Sequence, residues 1–378
     1  MNSVETIIAV ILLLMGIPEQ CNKMGRPALV YSAYVIFGLF IGGLLTSKTV
    51  DLLQQAGAFG FILLLFSIGL EIDLPGWNET LRALRRAFIW IVIQVPFWLL
   101  LGFASGLSPV ESLIGAVALS GCSVGMAFTS WMNFPGSSDV KRKILNWMVA
   151  LEVMAIILLS VSGSVVKHGL GWSILGKIAG MSVAVLLTAV FAPKVLTSLR
   201  WLLARTIHWR VHFIVLAVLM VAAIGERLGL SAAKAAFFLG LFFSRTTHEG
   251  MALEHHLKPI SENFLIPIFF VSLGTTIPFQ AMASLTGFWA IACAGVILGW
   301  RHVLFHRIVS PRLSIPVSSG LLVGPNLTMA AVAVEGLPEN ERFYPLKTWL
   351  LLTALYMTIV SVMLLPRIDS SQENLRKS

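Results

Sequence analysis

Thirteen apolar runs, each close to the length that crosses a bilayer, divide this sequence almost from end to end. They cover approximately residues 4–18, 28–46, 55–71, 87–105, 111–131, 143–165, 174–195, 209–226, 231–245, 260–277, 285–307, 317–336 and 347–366. In hydrocarbon only a helix or a closed barrel satisfies its own backbone, and a helix does so with about 20 mostly apolar residues. The runs predict an all-α polytopic membrane protein of about 13 transmembrane helices. With 57% hydrophobic and 12% charged residues, against about 25% charged in ordinary soluble domains, a water-soluble fold is excluded.

The net charge of +9 does not point to nucleic acid, because Lys and Arg fall in short clusters between the apolar runs rather than on one amphipathic face. Arg82, Arg85 and Arg86 form one cluster, and Lys141, Arg142 and Lys143 another. In alternate connections roughly 20 basic residues fall on one side and about 5 on the other, which places the odd-numbered loops and the C-terminus in the cytoplasm and the N-terminus outside. The first run, Ile7 to Ile17, follows no positive charge and precedes no small-residue cleavage motif, so it is expected to be retained as a helix. Cys21, Cys122 and Cys293 stand singly in or beside apolar segments, which predicts neither disulfides nor a metal site, and no cofactor motif is present.

The halves of the chain match at an offset of about 202 to 205 residues. Gly38-Leu39-Phe40 matches Gly240-Leu241-Phe242, and Ser67-Ile68-Gly69 matches Ser272-Leu273-Gly274. Gly121-Cys122-Ser123-Val124-Gly125 lies opposite Gly324-Pro325-Asn326. Partner segments are seven apart, so each pair crosses the membrane in opposite directions. An inverted repeat is expected, repeat 1 spanning about 28–165 and repeat 2 about 231–366.

Gly121, Gly125, Gly324 and Pro325 interrupt segments 5 and 12 at matching places. A broken helix in lipid is tolerated only where protein or a water-filled cavity satisfies the freed backbone groups. Two matched breaks point to a binding site near the midplane, with half-helix ends offering carbonyls to a cation. Close helix packing through small residues is the alternative reading. Ser120, Ser123, Asn326 and Thr328 beside the breaks are candidate oxygen ligands, as is Thr129, and each hydroxyl is equally able to bond its own helix.

Glu152 sits about nine residues into segment 6, roughly 14 Å deep at 1.5 Å per residue. An ionised carboxylate there costs about 2.5 to 3.5 kcal/mol even on the milder insertion scales, so the group is neutral, paired or wet. Such a side chain can alternate between a proton and a cation; a packing role is the alternative. Arg301 is the candidate counter-charge if segment 11 is framed at 289–309 rather than ending at Trp300, and otherwise a cytoplasmic-end anchor. Lys234, near the outer end of segment 9, is expected to snorkel to the interface. Glu71 and Asp73 are read as a solvated helix end, with cytoplasmic cation entry as the alternative, and His248, His255 and His256 as solvated loop residues, with pH sensing as the alternative.

Several stretches resemble the transmembrane domain of monovalent cation:proton antiporters of the sodium/hydrogen exchanger family, in its Kef-like and NapA-like branch. The most specific is Leu63-Leu64-Leu65-Phe66-Ser67-Ile68-Gly69-Leu70-Glu71-Ile72-Asp73-Leu74, similar to the family's LFxxGLExDL pattern. Gly25-Arg26-Pro27-Ala28-Leu29-Val30, Gly229-Leu230-Ser231, Phe237 to Leu241 and Pro267 to Gly274 resemble further family elements. The resemblance covers roughly residues 5–366. It implies the sodium/proton antiporter fold with two crossed discontinuous helices, a homodimer, monovalent cations and protons as substrates, and residence in a bacterial inner membrane. It also implies that Glu152 fills the slot where relatives carry Asp and that Arg301 falls near the family's basic residue in the helix before the second break. The chain departs from the pattern at Leu151-Glu152, where a polar residue usually precedes the acid, and at Gly324-Pro325-Asn326-Leu327. No soluble regulatory domain is expected after segment 13.

The expected function is electroneutral exchange of Na⁺ or K⁺ for protons by alternating access at one carboxylate. A symporter or channel on a related fold, or an ion-sensing relative without transport, remains open at this point. Enzyme motifs such as a nucleophile elbow, P-loop or HExxH are absent. A topology test follows: a fluorescent protein that folds only in the cytoplasm should light up when fused after residue 366 and stay dark when inserted at residues 106–108.

Overall fold

Apolar helices of bilayer length cannot bury their whole circumference in one small protein, so some faces must remain outward. The computed structural model describes residues 14–71, 77–168, 210–227, 232–243, 247–248, 251–252, 264–338 and 340–365. Among the described residues, seven helices are long and apolar enough to cross a membrane, and three shorter apolar helices accompany them. Leu81, Phe88 and Leu100 on one of them, and Leu285, Phe288 and Ile291 on another, are exposed. Lipid is the solvent that accepts such side chains.

In chain order the helices are α1 (14–23), α2 (Val30–Gly42), α3 (Ser47–Glu71), α4 (Trp77–Ala104), α5 (Pro109–Ser120), α6 (Val124–Met132) and α7 (Ser138–His168). After the described residues resume come α8 (Arg210–Arg227), α9 (Ala232–Phe243), α10 (Ile266–Thr275), α11 (Phe279–Met282), α12 (Leu285–Leu304), α13 (Ser310–Leu313), α14 (Leu327–Glu335) and α15 (Tyr344–Leu364). A π-helical turn, Phe305–Val309, continues α12, and a 3₁₀ segment, Val317–Val323, precedes α14. Thr247–His248 and Met251–Ala252 form a two-residue antiparallel ladder. The expected segment 7 at 174–195, most of segment 1, Asp73, His255 and His256 lie outside the described residues.

The chain divides into two compact units, each discontinuous in sequence: residues 1–49, 78–159 and 273–378 form one, and 50–77 with 160–272 the other. The second unit packs Leu63, Phe66 and Leu70 of α3 against Val218 and Ala222 of α8 and Leu239 of α9. Lys234, on α9, is only 6% exposed, so the expected snorkelling does not occur: the ammonium is held inside the unit.

The repeated fragments mark close helix contacts. In the second unit a Cβ on Gly240 would lie 2.2 Å from the Phe66 carbonyl oxygen, and one on Gly69 2.3 Å from that of Phe237. In the first unit a Cβ on Gly274 would lie 2.2 Å from the Val35 oxygen and 2.9 Å from Gly38 Cα. Gly38 corresponds to Gly240 and Gly69 to Gly274 in the expected repeat, and the contact of α2 with α10 uses the positions that correspond to those in the contact of α9 with α3. Small residues let the backbones approach where lipid gives no hydrophobic drive for association.

Gly69→Val should therefore force the α3 and α9 backbones apart and cost on the order of 1–3 kcal/mol through overpacking. A lower melting temperature of the detergent-purified protein, with Gly295→Ala as the neutral control because nothing lies near its Cβ position, is the expected readout.

Candidate ion-binding site

Two interrupted helices meet in the first unit. Helix α5 starts on a capping box, in which Ser108 Oγ accepts from Glu111 N–H at 3.4 Å and Glu111 Oε2 accepts from Ser108 N–H at 2.8 Å. It stops at Ser120, where Gly121 turns extended (φ −72°, ψ −170°). A Cβ on Gly121 would sit 2.9 Å from Ala155 Cβ and 3.2 Å from Met329 Cγ, so only glycine lets this stretch thread between α7 and α14. The helix resumes as α6, with Gly125 inside its first turn. In the other span the 3₁₀ segment ends at Val323, and Pro325, which has no N–H, prevents a continuous ladder. There a Cβ on Gly324 would lie 1.9 Å from Ser361 Oγ.

The freed backbone groups find partners in each other. Ser123 N–H donates to the Pro325 carbonyl at 2.7 Å, and the Ser123 and Thr328 hydroxyls bond at 2.8 Å. Asn326 Nδ2 donates to the Leu119 carbonyl at 3.2 Å. Asn326 N–H donates at 3.3 Å to Thr358 Oγ1, which itself donates to the Ala354 carbonyl at 2.8 Å. Ser120, Ser123 and Asn326 are fully buried and Thr328 is 1% exposed.

Arg301 completes this network. It is 4% exposed, and its guanidinium donates to the carbonyls of Leu119 at 2.9 Å, Gly121 at 2.9 Å and Val323 at 2.8 Å. These are end carbonyls of both half-spans, the negative ends of their dipoles. The expectation that such carbonyls face a cation is met by the protein's own cation instead. Of the two framings of Arg301, burial settles against the solvated anchor. Its hydrogen bonds go to these carbonyls and to no carboxylate among the described residues.

Glu152 approaches from α7. The helix starts at Ser138, so Glu152 is fourteen residues in, roughly 21 Å along the axis from that end. The side chain is fully buried, and its Oε2 accepts from Val124 N–H at 3.1 Å. Ser123, the N-cap residue, makes no side-chain cap, since its hydroxyl serves Thr328. Glu152 thus caps α6 from another helix, where the positive end of the helix dipole favours a carboxylate. Cys122 Sγ bonds the Met148 carbonyl at 3.2 Å, fixing the break against the same turn of α7.

The structure brings Ser123, Thr328, Asn326 and Arg301 together and sets Glu152 at the start of α6. Ser120 Oγ and Asn326 Oδ1 are buried and have no hydrogen-bond partner among the described residues. Sequence reasoning missed Thr358 and Ser361, although two polar residues three apart in an apolar span signal a buried, contacting face. A carboxylate with neutral amide and hydroxyl oxygens nearby suits a hard monovalent cation or a proton. Replacing Arg301 by Gln should strand buried carbonyls at about 1–3 kcal/mol each. A drop in melting temperature of several degrees is expected, smaller for Arg301→Lys, which keeps the charge but not the planar fork.

Comparison with known proteins agrees with this architecture. The profile of the family described as sodium/hydrogen exchanger, transmembrane, matches residues 9–368. The chain is 26% identical over 386 residues to the Probable Na(+)/H(+) antiporter 3 of Methanocaldococcus jannaschii, covering 91% of this chain and 92% of that one. It is 26% identical over 287 residues to the Na(+)/H(+)-K(+) antiporter GerN of Bacillus cereus, covering 73% and 71%. The solved structure of the sodium proton antiporter MjNhaP1 from Methanocaldococcus jannaschii superposes with a TM-score of 0.69 at 12% identity, over 96% of this chain and 95% of that one.

Proposed function

This chain belongs to the sodium/hydrogen exchanger family, and on that premise we propose that it exchanges a monovalent cation, Na⁺ or K⁺, for protons at Glu152. The observation that carries the reading is the burial of one carboxylate at the head of α6, beside a crossover whose half-helix carbonyls are held by Arg301. With those negative ends satisfied by a permanent guanidinium, the negative charge offered to a substrate is that of Glu152. The names of the relatives, a probable Na(+)/H(+) antiporter and a Na(+)/H(+)-K(+) antiporter, support the substrate class.

One carboxylate neutralised either by a proton or by a monovalent cation carries the same charge in both loaded forms. The exchange is then one for one and electroneutral. The empty, ionised form pays the desolvation cost of a charge in low dielectric, which disfavours its crossing and couples the two fluxes. The working assembly is a homodimer in which repeats 28–165 and 231–366 supply the two broken helices, and access alternates between the two faces of an inner membrane.

Reconstituted in liposomes with a pH-sensitive dye inside, the protein should move protons in response to a Na⁺ or K⁺ gradient, and the rate should not change when the membrane potential is clamped. Glu152→Gln, similar in size, should abolish exchange. For the intact protein, the apparent cation KM should rise about tenfold per pH unit on the acidic side of the carboxyl pKa, as competition for one site requires. Exchange surviving in Glu152→Gln, or driven by potential alone, would contradict the proposal.

A further inference from the structure

Helix α4 carries one amide in the middle of an apolar span, and the exchange proposed at Glu152 leaves it unused. Gln94 is fully buried. Its Nε2 donates to the Trp90 carbonyl of its own helix at 3.2 Å, which leaves Oε1 directed away from that bond. Among the described residues Oε1 has no hydrogen-bond partner. Leaving a buried carbonyl oxygen unbonded costs free energy that a purely structural amide has no reason to incur.

The neighbours of Gln94 show where it lies. Residues 90, 94, 98 and 102 share one face of α4 at four-residue spacing. At one end of that face a Cβ on Gly102 would lie 2.2 Å from Ser112 Oγ of α5. At the other end the Trp90 ring stands edge-on to Trp147 of α7, centroids 5.9 Å apart. The face therefore looks onto both the broken span and the helix that carries Glu152.

Its level follows from two independent registers. Helices α4 and α5 are joined by a short connection and run antiparallel, so eight residues from the Gly102–Ser112 contact Gln94 comes level with Ser120. The Ser120 hydroxyl is also fully buried and has no hydrogen-bond partner among the described residues. Helix α7 runs back along the broken span, as the contacts of Gly121 with Ala155 and of Trp131 Nε1 with the Lys141 carbonyl require. Helices α4 and α7 are then parallel. Stepping from the Trp90–Trp147 pair puts Gln94 level with Leu151, and stepping through Ser120 and Gly121 puts it level with Ile156. The two registers, roughly 7.5 Å apart along α7, bracket the level of Glu152 along the helix.

We propose that Gln94 supplies a neutral amide oxygen to the cation bound at Glu152. The inference rests on the exchange reading. An amide carbonyl is a hard ligand suited to an alkali cation, and it replaces part of the hydration shell without adding charge. It has no competing affinity for protons, so it strengthens the cation's hold on the site relative to the proton's. The residue beside Glu152 on its own helix, Leu151, offers no such group, and the amide comes from the facing helix instead.

The test uses the full-length protein and Gln94→Met, which keeps the length and volume of the side chain and removes the oxygen. In liposomes the KM for Na⁺ or K⁺ should rise about tenfold, or about 1.4 kcal/mol, with kcat and the proton inhibition constant unchanged. Adding Leu151→Gln should return KM toward the wild-type value. In parallel, the rise in melting temperature that saturating Na⁺ or K⁺ gives the purified protein should shrink in Gln94→Met; Gln94→Leu serves if the methionine variant does not fold. Loss of that cation-dependent rise in a protein whose wild type shows no exchange would sustain the ligand role and remove the transport reading. A folded Gln94→Met with wild-type cation KM and an undiminished cation-dependent rise would overturn the ligand role and leave the exchange reading standing. A melting temperature lowered equally with and without cation, at unchanged KM, would reduce Gln94 to a packing residue.

Discussion

Breaking two helices inside a bilayer frees backbone N–H and C=O groups that lipid cannot satisfy, and the rest of this molecule is arranged around meeting that requirement. Arg301 takes three of the carbonyls. Ser123 and Asn326 tie each break to the other span. Thr358 receives the Asn326 N–H from a third helix. Each of these groups is buried, where a hydrogen bond is stronger than in water and an unmade one costlier. The network has an electrostatic result as well as a structural one: the negative ends of the half-helices are quenched by a cation that never leaves.

That quenching gives Glu152 its character. Had the carbonyl ends stayed open, a metal ion would have met several partial charges and the carboxylate would have been one ligand among many. With them closed, the carboxylate stands at the positive end of α6, bonded to Val124 N–H, and neutral oxygens of Ser120 and Asn326 are buried in the crossover. In the proposed exchange this carboxylate is the group that a proton or a cation neutralises.

Much of this was legible in the sequence because lipid imposes strict rules. Apolar length marked the spans, and Gly121, Gly324 and Pro325 marked the breaks, since neither proline nor a backbone approach closer than a Cβ permits is compatible with an ordinary span. Glu152 stood out by its cost alone. The partners of Arg301 were not legible: whether a guanidinium pairs with a carboxylate or with helix-end carbonyls depends on contacts about 180 residues apart, which no local pattern encodes. Lys234 misled for a related reason. Its distance from the end of the segment suggested an interface, whereas its burial is set by neighbours on other helices. Gln94 was invisible because one amide in an apolar run reads as an incidental polar residue until the facing helices are known.

The proposed exchange requires Glu152 to trade a proton for a metal ion at one place. The most direct measurement is proton release on cation binding, made with purified protein in weakly buffered solution containing a pH indicator, at a pH where the carboxyl group is protonated. Saturating Na⁺ or K⁺ should release close to one proton per chain, and Glu152→Gln should release none. Cation binding without proton release, or equal release from the Glu152→Gln protein, would contradict it.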